Sequence, residues 1–240
     1  REVADAYDKE VFVAGSVGPT GEIMQPIGHL SHELAVEVFH EQALGLKEGG
    51  VDLIWLETIS APEEFKAAAE AFSYIALPWV GTMSFDTAGR TMMGTSPLEM
   101  VDLISSIPNK PIAFGANCGT GAPDLLRTVQ DFAKVSPKSV LIAKGNAGIP
   151  KYIHGQILYD GTPELMAQYA VMARNSGAKI IGGCCGTKSK HLLSMRSALE
   201  NEDIGAVPSL EQIELEIGPF SGQIRKLINK NKSKRRRRQV

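Results

Sequence analysis

The sequence predicts an α/β fold with a parallel sheet, and three observations lead to this prediction. Short apolar runs alternate with longer amphipathic stretches, which is typical of strands connected by helices that cover a sheet. The runs are almost continuously apolar, as expected for strands that are buried on both faces. Several runs are followed by a glycine-rich polar loop, as in "GANCGTG" and "GGCCGT".

Six β/α units follow one another along the chain. An apolar run within residues 11–21 predicts a strand that breaks into a Gly/Pro loop, and further strands are predicted at residues 51–58, 78–86, 111–119, 139–148 and 178–186. Amphipathic stretches predict helices at residues 31–50, 96–107, 122–135 and 162–177. Two more helices are predicted, one that begins near Pro62 and one that contains His191.

The ends of the first helices carry residues that suit those positions. Ser31 is predicted as the N-cap of the first helix, and Gly49 or Gly50 is predicted to end it. Pro62 and Pro97 fall where the next two helices begin. Proline is favoured in the first turn because its missing N–H would have no partner there.

Two architectures place helices around a parallel sheet of this kind. A flavodoxin-like open sheet suits six units, but no G-x-G-x-x-G opens the first helix, and polar residues follow several different strands. Barrel enzymes carry their chemistry at such strand ends. The chain also begins within what looks like the end of a helix. The sequence therefore predicts a (β/α)8 TIM barrel that lacks its first two β/α units.

The chain divides into three parts by sequence. We expect residues 1–205 to form the barrel domain, residues 206–224 a C-terminal appendage, and residues 225–240 a basic, disordered tail. Nine Lys or Arg residues and no acid lie between Arg225 and Arg238, although the whole chain has a net charge of −2. No aromatic residue interleaves these charges to stack on a base, so no nucleic-acid partner is expected.

The sequence also predicts the cellular compartment of the protein. No run of about 18 apolar residues occurs, so no membrane span is expected. The chain opens with the charged stretch "REVADAYDKE", which lacks the apolar region of a signal peptide, and a cytoplasmic location is expected. In a reducing compartment, grouped cysteines indicate metal binding or catalysis. The sequence is compatible with an oligomer.

All three cysteines lie in glycine-rich segments that follow apolar strands. Cys118, Cys184 and Cys185 therefore share one face of a parallel sheet, and the neighbouring glycines allow adjacent thiols to converge. Zinc prefers thiolates, and three of them leave a fourth position for water or substrate. The alternatives are buried core thiols or a redox pair, and the latter lacks Cys-X-X-Cys spacing. The joint pattern favours a catalytic Zn²⁺ site.

At these motifs the chain resembles the homocysteine S-methyltransferase family. This zinc-dependent homocysteine-binding barrel is shared by betaine–homocysteine methyltransferases, S-methylmethionine-dependent enzymes and the N-terminal part of cobalamin-dependent methionine synthase. "GSVGPTGE", "VDLIWLET", "KGNAGIP" and "TPELMAQYA" are similar to that family and occur in its order. The resemblance covers residues 11 to about 200. It implies that Cys118, Cys184 and Cys185 bind one zinc ion and that the homocysteine sulfur takes the fourth position.

The resemblance implies transfer of a methyl group to homocysteine, giving methionine. The donor would be a small onium compound such as betaine or S-methylmethionine. One alternative is the homocysteine-activating module of a methylcobalamin-dependent methionine synthase. Another is a non-catalytic zinc-binding barrel or a truncated remnant.

Three further residues are candidates for binding the substrate. Glu57 is either an acid that is favoured by the dipole of the following helix or a substrate ligand. A carboxylate at the inner end of a strand is costly unless it is paired, which favours the second role. The resemblance implies that Glu57 holds the ammonium group of homocysteine, with Thr58 beside it. Asn117 is interpreted either as a substrate ligand or as a turn residue. Trp55 and Trp79 lie within strands and are predicted to pack.

Overall fold

A computed structural model describes residues 1–86, 88–148, 151–153 and 155–222. The helices of these residues are α1 (Glu2–Asp5), α2 (His32–Glu48), α3 (Pro62–Ser73), α4 (Pro97–Ser106), α5 (Ala122–Val135), α6 (Pro163–Asn175), α7 (Ser189–Asn201) and α8 (Leu210–Glu216). The strands are β1 (Ala14–Val17), β2 (Leu53–Ile59), β3 (Trp79–Met83), β4 (Ala113–Cys118), β5 (Leu141–Gly145), β6 (Lys151–Ile153), β7 (Gln156–Leu158) and β8 (Ala178–Gly183). The predicted basic tail, residues 225–240, lies outside the described residues.

Within the described residues, six parallel strands form one sheet in the order β1-β2-β3-β4-β5-β8. Helices alternate with these strands along the chain, which is the arrangement of a partial (β/α)8 barrel. The predicted fold class is therefore confirmed. The two remaining strands, β6 and β7, form a separate antiparallel hairpin that was not predicted from the sequence.

Apolar residues cover both faces of the sheet, in two separate clusters. The larger cluster lies between the sheet and the helices, and its aromatic members are Phe39, Phe65, Phe72, Trp79, Phe85, Phe114, Phe132, Tyr169 and Phe220. The smaller cluster lies on the opposite, inner face, where Leu53, Trp55 and Ile180 pack against buried Val80, Ala113 and Ile142. Successive residues of a strand point to opposite faces, so buried Ile54 and Leu56 face the helices while Trp55 faces inward.

The predicted cap of the first long helix is present. The Ser31 hydroxyl oxygen accepts a hydrogen bond from the Leu34 backbone N–H at 3.2 Å. Helix α4 begins with a capping box in which Ser96 and Glu99 satisfy each other's backbone N–H groups. Helix α2 ends at Glu48, and Gly50 has a φ of 80° that continues the chain in a conformation favouring glycine.

The segment that follows α7 packs on α5. The Gln130 side-chain amide donates to the Pro208 carbonyl oxygen at 2.8 Å, and the Arg127 guanidinium lies 5.2 Å from the centre of the Phe220 ring. Ile213 of α8 is fully buried in the larger cluster. The division at residue 205 stays a prediction. Among the residues that the structure describes, the helices lack the length and apolar character of a membrane span.

Candidate metal centre

Three sulfur atoms meet at the carboxyl end of the parallel sheet. Cys118 is the last residue of β4, and Cys184 and Cys185 directly follow β8. All three thiols are free, and their Sγ atoms lie within 4.8 Å of one another, with 3.8 Å between Cys118 and Cys185. Three thiols at this spacing can bind one metal ion.

The backbone turns sharply where the sulfurs meet. Cys118 has a φ of 58°, which is uncommon for a residue other than glycine, and this conformation ends β4. After β8, the Cys184 N–H donates to the Gly145 carbonyl oxygen at 2.7 Å, and the Ala147 N–H donates to the Cys185 carbonyl oxygen at 2.9 Å. These bonds tie the cysteine pair to the end of β5, the strand between β4 and β8.

Asn117 connects the cysteines to the end of β2. Its side chain is fully buried, and its amide N–H donates to the Thr58 hydroxyl oxygen at 2.7 Å and to the Cys184 sulfur at 3.7 Å. The Thr58 backbone N–H donates back to the Asn117 side-chain oxygen at 2.8 Å. Thr58 has a φ of 65°, an outlier for a β-branched residue, and this double hydrogen bond holds it there.

Asn146, at the end of β5, connects the two loops that carry Cys118 and Cys185. Its side-chain oxygen accepts from the Cys185 backbone N–H at 3.1 Å, and its amide N–H donates to the Gly119 carbonyl oxygen at 3.0 Å. The side chain is almost completely buried. A buried amide that uses both ends in this way orients the loops that carry Cys118 and Cys185.

Two of the thiols differ in their acidity. The hydrogen bond with Cys118, followed by those from Asn117 and the Cys185 backbone N–H, lowers the pKa of Cys184 to about 6 despite its burial. The same hydrogen bond between thiols, together with burial and the neighbouring negative charges, raises the pKa of Cys118. The cluster therefore holds a thiolate at neutral pH, which is the form that binds metals.

A second polar group lies beside the sulfurs on the inner face. The Glu57 carboxylate forms an ion pair with the Lys144 ammonium group, and it accepts a hydrogen bond from the Ser16 hydroxyl at 2.6 Å. The Lys144 ammonium nitrogen lies 4.9 Å from the centre of the Trp55 ring, within range of a cation–π contact. Its positive charge also lowers the pKa of Cys184.

A model of the homocysteine S-methyltransferase family matches residues 1–199. The chain belongs to this family.

Solved structures of the homocysteine methyltransferase MmuM from Escherichia coli share the fold. The apo form has a TM-score of 0.64 and 24% sequence identity, over 79% of this chain and 63% of MmuM. The metallated form has a TM-score of 0.63 and 23% identity, over 82% of this chain and 64% of MmuM. The chain thus spans a little under two thirds of the length of these structures.

In this family member, the residues predicted from sequence fall into two neighbouring groups. Hydrogen bonds join Thr58, Asn117 and Cys184, and Cys118 and Cys185 complete the sulfur cluster. Glu57 lies in the other group, with its carboxylate engaged by Lys144 and Ser16. The roles given to these residues in binding metal and substrate stay predictions.

Two further residues at this site, Lys144 and Tyr159, were not predicted from the sequence. Lys144 was treated as part of an apolar strand, although the argument that a charge at a strand end needs a partner applies to it as it does to Glu57. Tyr159, which follows the unpredicted hairpin, is hydrogen-bonded with Cys185. Burial, followed by that hydrogen bond and the thiolate charges, raises the pKa of Tyr159 to about 12. No local motif marks a residue brought in by a loop of this kind.

Proposed function

We propose that this chain is a zinc-dependent S-methyltransferase that moves a methyl group from a small onium donor, such as betaine or S-methylmethionine, to homocysteine. The products are methionine and the demethylated donor. The observation that carries the proposal is the cluster of three cysteine sulfurs at the carboxyl end of the sheet. Family membership supports it, and the existence of a metallated form of MmuM supports a metal in the family.

The donor set and its spacing fit Zn²⁺. Zinc–thiolate bonds of about 2.3 Å in a tetrahedral site put the sulfurs roughly 3.8 Å apart. The Cys118 and Cys185 sulfurs are 3.8 Å apart. Cys118, Cys184 and Cys185 would hold the ion, and a tetrahedral site would keep one position for the substrate thiol. When the substrate thiol binds in that position, zinc would keep it deprotonated near neutral pH.

The protein's own residues would orient the cysteine loops and bind the substrate for the methyl transfer. Asn117 and Asn146 hydrogen-bond to the cysteine pair and so help to hold the sulfurs together. Glu57 offers a carboxylate for the substrate ammonium group. The homocysteine sulfur attacks the methyl carbon in line, so a carbon–sulfur bond forms while the bond from the methyl group to the donor's positively charged atom breaks. That electron pair leaves the donor neutral at this atom, and the thiol proton passes to solvent. The free thiols suit a cytoplasmic, reducing setting.

The first test is the zinc content of the purified chain and of a Cys185→Ser variant. We expect about one zinc per parent chain, because three thiolates form one site, and a large loss in the variant. Ser105→Ala changes an exposed serine on α4 and serves as the control, with unchanged zinc content. The measurement is metal analysis by mass spectrometry, alongside circular dichroism to show that each chain is folded.

The second step is a donor screen with homocysteine. Methionine formed from an onium donor supports the proposal, whereas turnover with methylcobalamin alone would assign the chain to methionine synthase chemistry. Zinc binding without any methionine would leave a non-catalytic barrel. A folded parent that contains no zinc under metal-replete conditions would overturn the proposal.

A further inference from the structure

We infer that Lys144 is a specificity-determining residue that binds the carboxylate of the substrate thiol while Glu57 binds its ammonium group. The two side chains would together select thiols that carry an α-amino acid group. This inference rests on the proposed function, because it assigns a further residue to the same substrate.

Lys144 is positioned on the same face as the sulfur cluster. It lies near the carboxyl end of β5, and in the parallel register it is paired with Asn117 of β4 and Gly182 of β8. Paired residues of neighbouring strands point to the same face, and Asn117 contacts the Cys184 sulfur there. The stem of Lys144 lies over Gly182, where a Cβ atom would be 3.6 Å from the lysine Cγ.

The Lys144–Glu57 pair is partly withdrawn from water. The two side chains are 22% and 17% exposed, in contrast to exposed pairs such as that between Lys134 and Asp131. Ser16 occupies the other carboxylate oxygen, and the Trp55 ring covers the ammonium group. At such a site an unpaired charge costs far more than it does on the surface.

Charge balance then determines which ligands fit. If a ligand offered only an ammonium group to Glu57, two cations would share one carboxylate. The positive charge of Lys144 would then be less stabilised by the Glu57 carboxylate. An α-amino acid carries its own carboxylate one carbon away from the ammonium group. Placed against Lys144, this carboxylate restores a set of two positive and two negative charges, each beside an opposite charge.

The competing interpretation gives Lys144 a structural role only. In that case it would merely hold Glu57 in place, and its removal would weaken every ligand that uses Glu57 by a similar factor. A thiol that lacks the carboxylate separates the two interpretations, because it can use Glu57 but cannot use Lys144.

The test measures thiol binding to the full zinc-loaded chain by calorimetry, without a methyl donor. The ligands are homocysteine and 3-mercaptopropylamine, which is homocysteine without its carboxylate. The parent is expected to bind homocysteine at least about tenfold more tightly, as one charge-assisted hydrogen bond allows. Lys144→Met should remove this preference, and Lys144→Arg should retain most of it. Lys134→Met, which breaks an exposed ion pair on α5, is the control and should leave the preference unchanged.

Other results would overturn either the inference about Lys144 or the proposed function. Equal affinity of the parent for the two thiols would overturn the inference, whether or not the variants fold. A Lys144→Met chain that binds both thiols more weakly but keeps their ratio would also overturn it. If the zinc-loaded parent bound neither thiol, the proposed function itself would fail, and this inference with it. If Lys144→Met does not fold, Lys144→Gln, which keeps the stem and a hydrogen-bond donor without the charge, replaces it and should lower the ratio.

Discussion

Single buried amides give the candidate site its shape. Asn117 and Asn146 each join a cysteine to a different strand end, and both side chains are buried. A buried amide whose partner is removed leaves polar groups unsatisfied, so such residues are sensitive to substitution. Their influence on the thiols can be measured in the metal-free chain.

In the metal-free chain, iodoacetamide should label Cys184 faster than Cys118 at pH 7. Both side chains are half-buried, so exposure does not separate them. The hydrogen bonds that lower the pKa of Cys184 to about 6 keep it as the reactive thiolate above that pH, whereas Cys118 stays protonated. Labelling of Cys184 should therefore fall as the pH drops through about 6. Peptide mass spectrometry after short pulses measures both rates.

Substitution at Asn117 tests the cause of this acidity. Asn117→Ala removes a hydrogen bond to the Cys184 sulfur, so the midpoint of its labelling should move to higher pH. Asn109→Ala is the control, because that side-chain amide donates to the Ala69 carbonyl oxygen of helix α3 and not to a cysteine. An unmoved midpoint in Asn117→Ala would show that this amide does not set the acidity.

At the scale of elements, regular segments were predictable and the hairpin was not. The strands and helices of the sheet show long apolar runs, capping residues and first-turn prolines such as Pro97, all of which are local signals. The β run predicted within residues 11–21 forms strand Ala14–Val17, and the predicted Gly/Pro loop follows it. Strands β6 and β7 have three residues each, and β7 is exposed, so no apolar pattern marks them.

Helix α8 provides a prediction about the segment expected to be an appendage. Ile213 is fully buried against the barrel, so Ile213→Ala should lower the free energy of unfolding by about 2–5 kcal/mol. Leu215→Ala, in the same helix but 84% exposed, should change it by less than about 0.5 kcal/mol. Urea unfolding measures both. If both variants unfolded like the parent, α8 would contribute nothing to the stability of the barrel.

For the whole molecule, topology explains what the sequence could and could not locate. Parallel strands bring their carboxyl ends to one edge, so three cysteines after two strands could be predicted to meet without knowledge of any contact. The Lys144–Glu57 pair depends on the register between strands and on side-chain direction, which no local pattern encodes. Tyr159 reaches Cys185 through a connection whose path depends on tertiary packing.

The sulfur cluster should couple metal binding to the stability of the entire barrel. Cys118 ends β4 and the Cys184–Cys185 pair follows β8, with β5 between them, so an ion held by all three thiols would cross-link the ends of β4 and β8, which unfolding separates. A ligand at 100 times its Kd that binds only the folded chain adds about 2.7 kcal/mol to the free energy of unfolding. For a chain of this size, that corresponds to a rise in Tm of roughly 5–10 °C.

Differential scanning calorimetry with zinc and with a chelator measures this shift. In Cys118→Ser, which keeps the adjacent pair but loses the ligand from β4, most of the shift should disappear, because the remaining two thiolates span only one loop. An equal rise in the parent and in Cys118→Ser would mean that zinc binds elsewhere or only at the pair. A full loss in the variant would instead require the site formed by all three cysteines, since no other described residues place three cysteine, histidine or carboxylate ligands together.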